Sequence, residues 1–274
     1  MRVQQVKKDL PKDKEPVRGD REKFIPEIQV KILPSKFLSY PPNSSISYRP
    51  YIFGELIEFN ESKLSEMDII KFILKGITTS FPIMDLTYFD YMFISLLRKI
   101  SSFGGNQFSF DFSCAKCGAD GKHTATIDNI DFSELNVPKL PLVITIAKTE
   151  LHFSPLTVGN YLKLLESKKV DKRISLYAAE VVNLPQDEAE KVIYNAIGED
   201  QALLNYVDEI LYFGVKPMTV KCQAEKKELD DNNFMQTLRC DFENKVEIGS
   251  PEVLTRPFRT DRESLRNRVR FGVS

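Results

Sequence analysis

Residues 46–63 read ISYRPYIFGELIEFNESK, and the chain carries a counterpart at residues 151–168, LHFSPLTVGNYLKLLESK. At a constant offset of 105 residues the two stretches share a proline, a glycine and the final tripeptide Glu-Ser-Lys, and apolar residues occupy corresponding positions. The matched pairs are Pro50 with Pro155 and Gly54 with Gly159. The repetition predicts an internal duplication in which a Pro-x-x-x-Gly turn leads into a helix.

The residues after the first repeat contain clear helix and strand signals. Ser65 is a predicted N-cap of an amphipathic helix over about 65–75, and Thr87 opens a second helix, YFDYMFISLLRKISS. Apolar residues cover most of the second helix, so we predict that it is the buried centre of the first unit. A hairpin follows, because FSFDF alternates strictly and HTATI returns after a turn.

The second half varies on the same plan. Helices are predicted near 172–183, 187–197 and 200–212, followed by the strand KPMTVKC, a polar insertion, QAEKKELDDNNFMQT, and then LRCDFENKVEI. Together these patterns predict an α+β fold of two similar helix-rich units, 26–147 and 148–255. Each unit is expected to contain a β-hairpin and to end in a hairpin that carries cysteines.

The two ends of the chain differ from the middle. The first 23 residues contain 13 charged side chains, and the last nineteen contain six arginines against Asp261 and Glu263. Neither stretch has enough apolar surface to order by itself. We predict a charged N-terminal arm at 1–25 and an Arg-rich C-terminal arm at 256–274, both of which order against partner proteins.

The composition is that of a soluble globular protein, with 42% hydrophobic and 28% charged residues and a net charge of −1. This balance gives no overall steering towards nucleic acid or membrane. Four cysteines are too few for a disulfide framework, and no signal peptide or long apolar run is visible. We expect synthesis and assembly in the cytoplasm.

The sequence offers no constellation for catalysis. It lacks the glycine-rich phosphate motifs, the His-Glu-x-x-His metalloprotease motif and the Gly-x-Ser-x-Gly nucleophile motif. It contains only two histidines, and its carboxylates are scattered over predicted solvated faces. The protein is therefore predicted not to be an enzyme.

The first cysteine-bearing hairpin has the form of a zinc knuckle. Cys114 and Cys117 are separated by two residues, and Gly118 follows directly. A knuckle of this kind supplies two of the four thiolates of a structural zinc site.

The second hairpin could supply the other two. Cys222 ends its first strand, but Glu225 stands where a second knuckle cysteine would be, and Cys240 comes only after the polar insertion. We predict a structural zinc ion held by four cysteines whose sulfurs lie within about 4 Å of one another. These are Cys114, Cys117, Cys222 and Cys240.

Other interpretations of the cysteines remain open. Cys222 and Cys240 are alternatively small buried hydrophobic residues. A redox pair would need a helix N-terminus to lower the first thiol pKa, whereas the sequence predicts a hairpin. His123 is a candidate substitute ligand, and His152 has no evident partner in the sequence.

The order of these motifs resembles the baseplate family of T4-like contractile-tailed bacteriophages, which contains a baseplate hub subunit and a hub assembly chaperone. The resemblance rests on YRPYIFGEL, TYFDYMFISLLR, the following FGG, the Cys-x-x-Cys hairpin and FGVKPMTVKC. It covers about residues 26–248. Glu225 and the insertion depart from the family's pattern. This departure concerns the predicted metal site and not the predicted fold.

The resemblance implies a hub component or assembly factor that acts through protein–protein contacts. It implies other baseplate, hub and tail proteins as partners, several copies in a symmetric assembly, and a place in the virion at the tail baseplate. No catalytic residue, nucleic-acid partner or membrane partner carries over.

A zinc-ribbon nucleic-acid-binding regulatory protein is the alternative. The Arg-rich C-terminal arm and the Cys-x-x-Cys motif favour it. Against it, acidic and basic residues balance, and the aromatic residues are spaced as in helix cores.

Overall fold

The computed structural model describes most of the chain between the two predicted arms. The described residues are 26–61, 64–102, 107–169, 172–229, 235–246 and 248. The arms predicted at 1–25 and 256–274 lie outside these residues, as does the end of the second predicted unit.

The predicted α+β class is confirmed by the described residues, which contain seven α-helices. The helices are α1 (Phe53–Glu61), α2 (Glu66–Leu74), α3 (Tyr88–Ser101), α4 (Val158–Glu166), α5 (Arg173–Glu180), α6 (Gln186–Tyr194) and α7 (Glu199–Leu211). A 3₁₀ turn, Ile83–Asp85, precedes α3, and a second, Ile127–Asn129, follows strand β5.

Thirteen short strands in the described residues complete the fold. They are β1 (Ile28–Gln29), β2 (Ile46–Tyr48), β3 (Ile77–Thr79), β4 (Gln107–Ser113), β5 (Asp120–Thr126), β6 (Phe132–Ser133), β7 (Leu142–Ile146), β8 (Thr149–Phe153), β9 (Gly214–Val215), β10 (Met218–Lys221), β11 (Glu225–Leu229), β12 (Met235–Arg239) and β13 (Glu243–Val246). The strands β1, β2 and β3 form one antiparallel sheet, and the others form antiparallel pairs: β4 with β5, β6 with β9, β7 with β8, β10 with β13 and β11 with β12.

Helix α3 is the buried centre of the first half, as the sequence predicted. The side chain of Thr87 accepts a hydrogen bond from the Asp90 N–H, which confirms the predicted N-cap. Ten of the fourteen residues of α3 are buried. Ser65 caps α2 in the same way, by accepting from the Asp68 N–H.

A buried polar network fixes the start of α3. The Asp90 carboxylate accepts hydrogen bonds from the Tyr40 hydroxyl at 2.6 Å and from the Ser35 N–H at 3.0 Å. Burial raises the pKa of Asp90 despite these donors. The network joins the loop after β1 to the helix, because each buried polar group finds its partner on the other segment.

The other end of α3 holds a fully buried arginine. The Arg98 guanidinium donates to the carbonyl of Arg49 at 2.8 Å, to the carbonyl of Ile73 at 2.7 Å and to the Glu55 carboxylate at 3.3 Å. It also lies over the Tyr51 ring, 3.8 Å from the ring centroid. These contacts fasten α1, α2 and the Pro-containing turn to α3.

The repeat seen in the sequence falls on two helices of equal length. The helices α1 and α4 have nine residues each, and both of their ends are 105 residues apart. The elements around them differ, because a three-stranded sheet accompanies α1, whereas a two-stranded hairpin precedes α4. These two helices therefore correspond in the structure as well as in the sequence. The duplication of whole units stays a prediction.

The main hydrophobic core draws on both halves of the chain. It surrounds α3 and includes Val158 and Leu162 of α4 and Val220 of β10. A second core lies between the β7–β8 hairpin and helices α5, α6 and α7, and it includes Leu135 from the first half. The predicted unit boundary at 147/148 falls in the turn of the β7–β8 hairpin.

We expect Gly76→Ala to lower the free energy of unfolding by about 1–3 kcal/mol, the usual cost of overpacking. A Cβ at Gly76 would overlap the guanidinium group of Arg98, which is enclosed on all sides. Urea denaturation followed by circular dichroism measures the change.

Gly54→Ala is the matched control. In the described part of the chain, nothing lies within 4 Å of a Cβ at Gly54 in α1, and in a helix alanine is favoured over glycine by roughly 0.5–1 kcal/mol. We expect this variant to be as stable as the wild type or slightly more so. Equal stability of the Gly76→Ala variant and the wild type would contradict the described packing of Arg98.

Candidate metal centre

The first pair of cysteines lies in the turn between β4 and β5. The Cys114 N–H donates to the Ala119 carbonyl at 2.9 Å, and the Gly118 N–H donates to the Cys114 carbonyl at 2.8 Å. Gly118 has φ +71°, a left-handed conformation that glycine adopts without steric cost. This turn is the predicted knuckle, and its two cysteines lie at the end of a regular hairpin whose strands pair over seven residues each.

The second pair lies at the junction of two stacked hairpins. Strands β10 and β13 pair directly, and the polar insertion between them forms its own hairpin, β11–β12. At the junction the Cys222 N–H donates to the Phe242 carbonyl at 2.9 Å, and the Cys240 N–H donates to the Ala224 carbonyl at 3.0 Å. The insertion therefore returns Cys240 to the side of Cys222, although the two cysteines are 18 positions apart in the sequence.

The structure brings all four predicted cysteines together. The Cys114 and Cys240 sulfurs are 3.7 Å apart, as are those of Cys117 and Cys222. All four sulfurs lie within 4.8 Å of one another, which is somewhat wider than the expected limit of about 4 Å.

The sulfur spacing fits a tetrahedral metal ion. Four sulfurs at about 2.3 Å from a central zinc ion are separated by about 3.8 Å along each edge of the tetrahedron. Two of the observed separations match this value, and the rest need only small side-chain adjustments. The donor set consists of four soft sulfur atoms, which is the ligand chemistry of structural zinc.

The protonation of the thiols is strongly coupled. Burial opposes ionisation of Cys114, but hydrogen bonds from the N–H groups of Cys117 and Lys116 bring its pKa down to about 6. At Cys222 the Ala224 N–H favours the thiolate, yet burial and the neighbouring sulfurs raise the pKa to about 12. Adjacent thiolates repel one another, so a bound cation would favour complete ionisation of the cluster.

Asn244 joins the two hairpins and was not predicted from the sequence. Its buried side-chain oxygen accepts from the Ala115 N–H at 2.9 Å, inside the first knuckle. Its amide nitrogen donates to the Phe242 carbonyl at 3.2 Å. An asparagine on a strand carries no sequence signal for this role, because the role depends on contact with a turn 129 residues away.

The candidate substitute ligand His123, and the two other residues singled out in the sequence, Glu225 and His152, lie outside the cluster. His123 pairs with Phe110 across the β4–β5 hairpin, with the two ring centroids 5.5 Å apart. Glu225 forms an ion pair with Arg239 at 2.9 Å, at the base of the inserted hairpin. His152 is hydrogen-bonded to Glu150 at 2.7 Å. None of these three side chains belongs to the four-sulfur group among the described residues.

The geometry of the turn argues against the redox-pair interpretation of Cys114 and Cys117. Cys114 and Cys117 follow a strand and precede another strand, so no helix N-terminus stabilises a thiolate there. Cys117 is exposed, whereas Cys114 and Cys222 are buried and Cys240 is partly buried. An exposed cysteine in a tight cluster of four fits a metal knuckle better than hydrophobic packing.

Comparison of the chain with protein-family models, with curated proteins and with solved structures finds no match. Among the described helices, none combines the length and apolar character that a bilayer crossing requires.

We expect the purified protein to bind one zinc ion per chain and the Cys117→Ser variant to lose it. The loss should lower the free energy of unfolding by several kcal/mol, since zinc binding at structural sites contributes on the order of 10 kcal/mol to folding. Elemental analysis and urea denaturation with and without a chelator measure the two effects.

The control for this experiment is His123→Ala, which removes a nearby potential ligand outside the cluster. This variant should keep its zinc and most of its stability. A wild-type protein that binds no zinc, or a Cys117→Ser variant that binds it as tightly as the wild type, would contradict the four-cysteine centre.

Proposed function

We propose that this protein is a structural, non-enzymatic component of a larger protein assembly and that a zinc ion clamps its two cysteine hairpins together. The observation that carries the proposal is the convergence of Cys114, Cys117, Cys222 and Cys240 within 4.8 Å. Four cysteines complete a tetrahedral zinc site and leave no position open for water or substrate. A closed site of this kind stabilises a fold and does not catalyse a reaction.

The location of the cluster supports a structural role. It joins the tip of the β4–β5 hairpin to the junction of β10–β13 and β11–β12, elements that are distant in the sequence. The metal would hold this end of the molecule rigid, because each hairpin contributes two ligands and neither completes the site alone.

For the biological assembly we propose the baseplate hub of a contractile phage tail, as a hub component or as a hub assembly factor. The resemblance of YRPYIFGEL, TYFDYMFISLLR and FGVKPMTVKC to that family supports this assignment. The charged arms at 1–25 and 256–274 support it as well, since such segments are suited to binding neighbouring subunits. Its expected place is the virion, after assembly in the host cytoplasm.

Mass spectrometry of purified phage particles and of tail assembly intermediates tests this assignment. A hub component should be found in both samples at a fixed stoichiometry, whereas an assembly factor should be found in the intermediates alone. A chain lacking residues 256–274 should enter either sample poorly, because the six arginines of that arm present donors for partner carboxylates. Absence of the full-length protein from both samples would contradict the proposal.

The nucleic-acid alternative makes a different prediction. Two hairpins that share four cysteines also occur in zinc ribbons that bind nucleic acid. In this protein the exposed Lys116 and Lys122 of the first hairpin stand among acidic residues, Asp111 and Asp120. Binding to duplex DNA that weakens steeply with salt concentration would favour the alternative.

A further inference from the structure

Helix α1 presents an apolar face to solvent. Its Glu55 points inward, where it accepts hydrogen bonds from Arg49 at 2.6 and 2.9 Å and from Arg98 at 3.3 Å. Residues two positions before and after Glu55 lie on the opposite side of a helix, because each residue turns by about 100°. Phe53 and Ile57 occupy these positions and are 78% and 39% exposed.

The corresponding face of α4 is covered by the protein itself. Val158 and Leu162, the counterparts of Phe53 and Ile57, are buried. Gly159 lets the backbone approach, since a Cβ there would be 3.0 Å from the Met84 carbonyl oxygen, whereas a Cβ at Gly54 would meet no described residue within 4 Å. The glycine that permits close packing on α4 therefore has a counterpart on α1 that no described segment approaches.

The segment that covers α4 is the 3₁₀ turn immediately before α3. The Val158 N–H donates to the Leu86 carbonyl at 2.8 Å, and Thr87 bridges to Thr157. Met84 of the same turn lies against Gly159. Thus an apolar segment leading into the N-cap of a long helix packs on the apolar side of a short helix that follows a Pro turn.

The second half contains a similar apolar segment, and it is exposed. Tyr194 ends α6 and Ile197 precedes Gly198, the N-cap of α7, just as Ile83–Asp85 precedes the N-cap of α3. Tyr194 and Ile197 are 75% and 76% exposed. Tyr194 also forms one wall of a groove of about 900 Å³ between α5 and α6, with Ile174 as a further apolar residue.

The charges of the two surfaces are complementary. Helix α1 carries no basic residue; of its glutamates, Glu55 is engaged by Arg49 and Arg98, and Glu58 lies on the exposed side next to Gly54. The groove is lined by Lys172, Arg173 and Lys191, of which Arg173 is paired with Asp208 at 3.6 Å. It also contains Asp187 and Glu190, of which Glu190 is paired with Lys169 at 2.9 Å.

We propose that α1 of one copy of this chain docks in the α5–α6 groove of a second copy. Phe53 and Ile57 would pack against Tyr194, Ile174 and Ile197, and Gly54 would let the backbone near Asn195 approach as Met84 approaches Gly159. The contact joins two different surfaces, so the copy that contributes α1 keeps its groove free and the copy that contributes the groove keeps its α1 free. Repetition of such a heterologous contact gives a ring if the rotation closes and a filament if it does not.

This inference depends on neither the zinc site nor the phage assignment, so it can fail or succeed independently of both. Sedimentation velocity over a range of concentrations should show self-association of the full-length wild-type protein. Phe53→Ser and Tyr194→Ser should each weaken that association at least tenfold, the loss expected for an aromatic residue at the centre of an interface. Both side chains are exposed, so both variants should fold as the wild type does.

Mixing the two variants is the decisive measurement. The Tyr194→Ser variant keeps an intact α1, and the Phe53→Ser variant keeps an intact groove. At a concentration where each is monomeric, an equimolar mixture should form a one-to-one dimer and no larger species. A contact between two α1 helices would instead leave the Tyr194→Ser variant associated on its own, and adding the Phe53→Ser variant would produce no new complex, which would overturn the proposal.

Two further variants separate docking from folding. Gly54→Ala should fold stably yet weaken self-association, because its methyl group would separate the docked backbones. Val143→Ser removes a 54% exposed apolar side chain of β7 outside both surfaces and should leave association unchanged. A wild-type protein that stays monomeric at all concentrations, or a Val143→Ser variant that weakens association as much as Phe53→Ser, would also overturn the proposal.

Discussion

A guanidinium group that is sealed from water must find all of its partners inside the protein, and Arg98 imposes this requirement on the first half of the fold. Its donors take the carbonyls of Arg49 and Ile73 and the carboxylate of Glu55. These partners lie before α1, at the end of α2 and inside α1, so one side chain of α3 sets the positions of three segments. Because Glu55 is drawn inward, the apolar side of α1 has to face outward.

The cysteine cluster constrains a different part of the chain, the hairpins β4–β5, β10–β13 and β11–β12, through contacts between distant cysteines. Cys114 and Cys240 are separated by 126 positions, and only tertiary packing brings them to 3.7 Å. A metal bound there links the tip of one hairpin to the base of another, so its binding free energy becomes part of the folding free energy. The Asn244 side chain accepts a hydrogen bond from the Ala115 N–H, and this contact aligns the same two hairpins without a metal ion. The cysteine ligands therefore have their relative positions before a metal binds.

The features that the sequence predicted are those with local signals. The caps Ser65 and Thr87 depend on residues three positions away, and the β4–β5 hairpin follows from strict alternation. Cys240 could be assigned as the fourth ligand because it comes after the polar insertion, directly before a predicted returning strand. The Arg98–Glu55 pair and the sharing of one core by both halves depend on long-range packing, for which a single sequence has no periodic signal.

The two helices of the repeat have similar sequences but pack in different surroundings. At the position of Glu55, α4 has Asn160, whose amide donates to the Ala179 carbonyl at 2.8 Å and needs no buried cation. Helix α4 therefore turns the side with Val158 and Leu162 into the core, where the turn before α3 covers it. In α1 the ion pair with Arg98 takes the inner side, and Phe53 and Ile57 are left exposed. The polar anchor of each helix thus decides whether its apolar side joins the core or faces solvent.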